Sequence, residues 1–261
     1  MKEMPLLLLV SVAAVLPAPA RAAPVTECSK NAFCYCVNTE LRGAIASQVA
    51  FIRNLIAVER AKGRALGYLS IPISTVNGSY IGENVKIAGE VKERVERRFG
   101  EKAVWLLNTA AKEVTLPSNA TGADYMLMWT QVLEGEDGLG DLDFVYFVGS
   151  SEFARHFGLT GTGDLEKLEA YYDAASETDA GLKKVDKRAF RDYYGLRASV
   201  AFSFGSHDEW NVVRVINEKR RAADAAAGIA KQMAVFFDGR PVAPGLFEAS
   251  VASGDAGACR S

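Results

Sequence analysis

Residues 67–75 read "GYLSIPIST", an apolar run interrupted by Pro72 and closed by the hydroxyls of Ser70, Ser74 and Thr75. Aromatic and β-branched residues in a run of this length predict a buried strand. Upstream the period changes from strand to helix. From Asn38, a candidate cap, Leu41, Ile45, Val49, Ile52 and Ile56 recur every three or four residues, and Lys62-Gly63 supplies a stop. Downstream a second helix carries Val85, Ala88, Val91, Val95 and Phe99 on one face, with "KERVERR" as its solvated face, and Gly100 ends it.

The alternation continues. "AVWLLN" (103–108) reads as a second strand, "ADYMLMWTQVLEG" (123–135) as a helix, and "FVYFVG" (144–149) as an uncharged third strand. Short helices follow at 152–157 and 165–172. "ASVAFSF" (198–204) is expected to be a fourth strand, followed by a long helix from about His207 to Phe237, which Asp238-Gly239 ends. No internal repeat is visible. Apolar strands separated by helices predict an α/β fold: a mostly parallel open sheet of four to five strands, helices on both faces, and a long C-terminal helix. In such sheets ligands bind outside the carboxyl ends of the strands. Ser70, Pro72, Ser74, Asn108 and Ser150 all fall at expected strand ends and are the candidate ligand-binding residues.

The flanks of this domain set its compartment. Residues 1–22 have the parts of a secretory signal: Lys2, an apolar run at 6–16, and Ala20-Arg21-Ala22 for cleavage. That run is too short to span a bilayer, which takes roughly 20 apolar residues, and Val25-Thr26-Glu27 before Cys28 does not suit a lipidated cysteine. The expectation is an exported, periplasmic or extracellular protein without stable membrane insertion. A Cys-containing segment would run from 23 to 37, one domain from 38 to 240, and a flexible tail from 241 to 261. Cys28, Cys34, Cys36 and Cys259 suggest disulfides in an oxidising compartment, with three pairings open. Bonding Cys34 to Cys36 would be strained, whereas joining either to Cys259 would tie the chain ends together. With 30 basic and 32 acidic residues, and about −3 once Lys2, Arg21 and Glu3 leave with the leader, the chain is no electrostatic nucleic-acid binder.

Candidate chemistry is sparse. Ser206-His207-Asp208-Glu209 fits a capping box, with Ser206 as cap and Glu209 three residues on. That leaves His207 as a candidate base, kept neutral by the helix dipole. The other histidine, His156, follows the third strand. "VGSSEF" lacks the second glycine of a nucleophile elbow. "GTGD" (161–164) lacks the phosphate-loop lysine. Neither C-x-x-C spacing nor a facing His/Asp/Glu set is present for a metal, and no cofactor is expected. Carboxylates remain: Asp143, Glu152, Asp164 and Glu166 flank the third strand, with Glu152 and Glu166 as the candidates for nucleophile or general acid/base.

The order "GYLSIPI", "ADYMLMW", "DFVYFVG", "GTGDLE" resembles nucleoside 2-deoxyribosyltransferase-like proteins over residues 66–171. The match departs at Ile71, where that family has a small residue, and at Glu166, one residue further from Thr162 than usual. The resemblance implies that Ser70 and Pro72 border a nucleoside sugar and that Glu166 attacks the anomeric carbon. The functional expectation is an enzyme, a glycosyl (deoxyribosyl) transferase or hydrolase. It would bind a nucleoside-like or hydroxyl-rich small molecule and act at a glycosidic bond. The alternative is a non-catalytic exported ligand-binding or protein-interaction domain. Nothing in the sequence sets an oligomeric state.

Overall fold

A computed structural model describes residues 23–73, 78–227, 232–243, 251 and 256–259. The expected leader at 1–22, and Ser74 and Thr75, lie outside the described residues. The Cys-bearing segment is an antiparallel hairpin of β1 (Val25–Cys28) and β2 (Cys34–Val37). Cys28 bonds Cys34 across it, and Cys36 bonds Cys259, which joins the hairpin to the far end of the chain. Two disulfides fit an oxidising, exported compartment. The tail is tied down where it is described. The Gly257 N–H donates to the Cys34 carbonyl, and Asn211 exchanges two hydrogen bonds with Val251.

Asn38 caps a short 3-10 turn (Thr39–Leu41) that leads into α1 (Arg42–Ala61). Among the described residues α1 is the helix with the length and apolarity of a membrane span. Its Ile45, Val49, Ile52 and Ile56 nonetheless form a buried stripe at helical spacing. Then come β3 (Ala65–Ser70), α2 (Ile81–Phe99), β4 (Val104–Asn108) and α3 (Gly122–Glu134). Thr121 caps α3 in a complete capping box with Asp124. After β5 (Phe144–Phe147) the chain makes three helices, α4 (Ser150–His156), α5 (Asp164–Ser176) and α6 (Lys187–Leu196). It ends with α7 (Phe204–Ala227), β6 (Ala234–Phe237) and β7 (Arg240–Pro241).

The main sheet runs β4-β3-β5-β6-β7, parallel except for the last pair. The path β3-α2-β4 steps one way across the sheet, and β4-α3-β5 steps back. Crossovers of one hand therefore put α2 and α3 on opposite faces. The helix contacts agree: α3 packs with α1 and α7, whereas α2 packs with α4. β3 sits between its two neighbours with Gly67 opposite Leu106 and Phe144. A Cβ on Gly67 would overlap the Phe144 ring and the Leu106 side chain. Gly67→Ala is therefore expected to cost about 1–3 kcal/mol through overpacking. An unchanged urea midpoint would show that Phe144 and Leu106 can give way instead.

Two elements differ from the sequence expectation. "ASVAFSF" is not a strand: Ser199 caps a 3-10 turn (Val200–Phe202) by accepting from the Ala201 N–H, and Phe202 and Phe204 face solvent. The fourth parallel strand is instead Ala234–Phe237, inside the span expected to be helical. The place beside β5 goes to the run whose Val235 is buried and whose Phe236 packs on Phe144. Correspondingly, α7 starts at Phe204, so Ser206 and Glu209 lie within its first turns rather than forming a cap.

Candidate active site

The two faces of β5 have different surroundings. Phe147 points toward α7, its ring 5.0 Å from that of Trp210. Phe144 and Tyr146 point to the opposite face, where Phe144 meets Phe236 edge-on. On that opposite face lies a cleft of about 260 Å³ between α2, α4 and the β6–β7 turn.

Glu152, in the first turn of α4, is its buried acid. The carboxylate accepts from the Tyr146 hydroxyl on one oxygen and pairs with Arg94 of α2 on the other. Burial, and the neighbouring Glu152 carboxylate, push the Tyr146 phenol well above its usual range, so it remains a hydrogen-bond donor. Asp238, at the turn between β6 and β7, reaches over Gly149, where a Cβ would come within 2.5 Å of the aspartate side chain. Its Oδ2 accepts from the Ser151 N–H at 3.1 Å. Its Oδ1 is buried with no hydrogen-bond partner among the described residues. Arg98, Arg155 and Arg240 complete the charged lining.

Two other polar clusters lie outside the cleft. In the first, His156 stands between Glu83, at 3.1 Å from Nε2, and Glu90, at 3.0 Å from Nδ1. Burial raises the Glu83 pKa, but hydrogen bonds from His156, Lys86 and Tyr171 outweigh it and hold the carboxyl down at about 2. Burial disfavours charge on His156 too, yet the two glutamates raise its pKa. This cluster ties α2 to α4 and, through the Tyr171 hydroxyl on Glu83, to α5. In the second, Glu209 accepts from both Tyr68 and Ser70 in the core between β3 and α7. Burial pushes its carboxyl up to about 7 against the lowering effect of those two bonds, and Asp208 adds to the rise.

The candidates from the sequence are thus dispersed. Glu152 is in the cleft, and Ser150 is the exposed first residue of α4 beside it. Ser70 is fully buried on Glu209, and the Pro72 carbonyl accepts from the Asn84 side chain at 2.8 Å. Asn108 folds back on the Ala110 N–H at 2.9 Å, which makes it a turn residue. Glu166 is exposed on α5, and Asp164 closes its own loop by accepting from the Thr160 and Gly161 N–H groups. His207 lies 2.9 Å from the Ala201 carbonyl. Among the described residues no group of three or more His, Cys, Asp or Glu is arranged to hold a metal ion.

Residues that sequence reasoning passed over build most of the cleft. Arg94 and Arg98 are one helical turn apart, on the charged face of α2. Tyr146 hides inside an apolar strand, and Asp238-Gly239 has the pattern of a helix stop. The only signal was the basic repeat at helical spacing in "KERVERR". No family model, curated protein or solved structure matches the chain.

Proposed function

We propose that this is an exported enzyme acting at the glycosidic bond of a nucleoside-like, hydroxyl-rich small molecule, with Glu152 as its nucleophile. The observation that carries this reading is a buried carboxylate oriented by Tyr146 and Arg94 at the wall of a cleft. A glycosidase-type nucleophile has to be ionised, fixed, and next to space for a sugar. The Arg94 guanidinium holds one carboxylate oxygen and the Tyr146 hydroxyl the other, so the group is fixed at the cleft wall. Attack on the anomeric carbon would form a glycosyl ester with Glu152 and release the base, which takes its proton from solvent. Water or a second acceptor would then break the ester. The free Oδ1 of Asp238 offers an acceptor for a sugar hydroxyl.

The test is release of free base from a panel of nucleosides and nucleotides, followed by chromatography. Glu152→Gln keeps the shape and the Tyr146 contact but removes the nucleophile. It is expected to lower kcat about 10³-fold or more, roughly 4 kcal/mol of barrier, in protein that still unfolds cooperatively, at a melting temperature lowered by loss of the Arg94 pair. Turnover by Glu152→Gln at the wild-type rate would remove Glu152 from the chemistry. Binding without any turnover by the wild type would make the cleft a binding module.

A further inference from the structure

We infer that the ligand of this cleft carries a phosphomonoester, held by Arg98, Arg155 and Arg240; this deepens the preceding reading and rests on its choice of site. The cleft holds four arginines against two acids, Glu152 and Asp238, in a chain whose formal net charge is −2. One arginine is committed: Arg94 pairs with Glu152. The other three are not committed to a carboxylate. Arg98 makes one long bond, 3.3 Å, to the Gly239 carbonyl, and its guanidinium lies 5.3 Å from the centre of the Phe99 ring. Arg155 and Arg240 have no side-chain hydrogen bond or ion pair among the described residues.

These three come from three separate elements, α2, α4 and β7, and line one opening. Arginines placed only for solubility would spread over the surface or pair with acids, as Arg60, Arg191 and Arg214 do. Convergence without neutralisation leaves a positive site, and guanidinium forks match the oxygens of a phosphate dianion two at a time. The volume bounds the rest of the ligand. At about 260 Å³ the cleft lies below the usual range for a drug-sized molecule. It suits a phosphate with a pentose-sized group against it. Phe99 and Phe236, whose ring centroids lie 6.0 Å apart, add an aromatic wall for a flat substituent.

The experiment is isothermal titration of the mature, disulfide-bonded protein with adenosine 5′-monophosphate, ribose 5-phosphate, inorganic phosphate and adenosine. The two esters are expected to bind at least 10-fold more tightly than adenosine, and to weaken as salt rises. Arg155→Ala with Arg240→Ala, both at exposed positions, should weaken both esters enough to remove that 10-fold preference over adenosine. Equal affinity for ester and nucleoside, or an ester affinity unaffected by the double variant, overturns the inference. Inorganic phosphate binding as tightly as the esters also overturns it, since the site would then be for the free anion. The two readings fail separately. Tight ester binding without base release sinks the enzyme and spares this inference. Base release with no preference for phosphate does the reverse.

Discussion

Cys259→Ser is expected to lower the unfolding free energy by about 5 kcal/mol. Loop closure sets the size of this loss. Cys36 and Cys259 are 223 residues apart, and the entropy a crosslink removes from the unfolded chain grows with the logarithm of that distance. The same relation gives only about 2 kcal/mol for Cys28–Cys34, six residues apart. Loss of the long bond also frees the tail contacts at Cys34, Asp208 and Asn211. Urea unfolding of Cys259→Ser and Cys28→Ser under the same conditions checks the ranking. A larger loss for Cys28→Ser, or a loss below about 1 kcal/mol for Cys259→Ser, would mean the unfolded chain is already compact around these ends.

The second large effect concerns pH. In the folded protein Glu209 keeps its proton to about pH 7, because burial penalises the carboxylate. Unfolded, it releases that proton near its ordinary 4.5. Between these values the native state binds more protons than the unfolded state, so unfolding free energy falls as pH rises. The loss is about 3 kcal/mol, complete once the pH exceeds the folded value. His156 acts in the same direction, its raised pKa giving stability that is lost as pH climbs through it. Glu83 acts oppositely: its depressed pKa gives stability above 4.5 that is lost as pH falls toward 2. The protein is therefore expected to be most stable near pH 5. Glu209→Gln should flatten the decline toward pH 8 and leave that variant about 2 kcal/mol more stable than wild type there. Parallel pH profiles for the two proteins, measured by urea unfolding, would refute the role given to Glu209.

The fold was readable from sequence where period and length were both clear. The apolar faces of α1 and α2 and the uncharged run of β5 each satisfied a local rule that the tertiary structure then kept. The failure came where two short apolar runs competed for one place. "ASVAFSF" and "AVFF" both suit a strand, and only pairing with β5 decides between them. The Ala-rich stretch before "AVFF" also extended the helical pattern across it. Glu209 illustrates a different limit. Ser206 and Glu209 satisfy a capping rule within four residues, yet the carboxylate bonds Tyr68 and Ser70, 141 and 139 positions away. Hydrogen bonds at that separation leave no local trace. The cleft was hidden for a similar reason, since its arginines come from elements that meet only in the folded sheet.

The route from β5 to β6 has one more consequence. The chain returns along α7, so the face carrying Tyr146 and Phe236 is left to α2 and the short α4. The opening is thus a product of connectivity, while its lining is a set of side chains on the side away from the α1–α3–α7 layer. Evolution can change the two independently. Replacing the arginines by acids or apolar residues would alter what the cleft accepts without disturbing Phe147 and Trp210 on the other face. Descendants of this chain could diverge widely in ligand while keeping one scaffold.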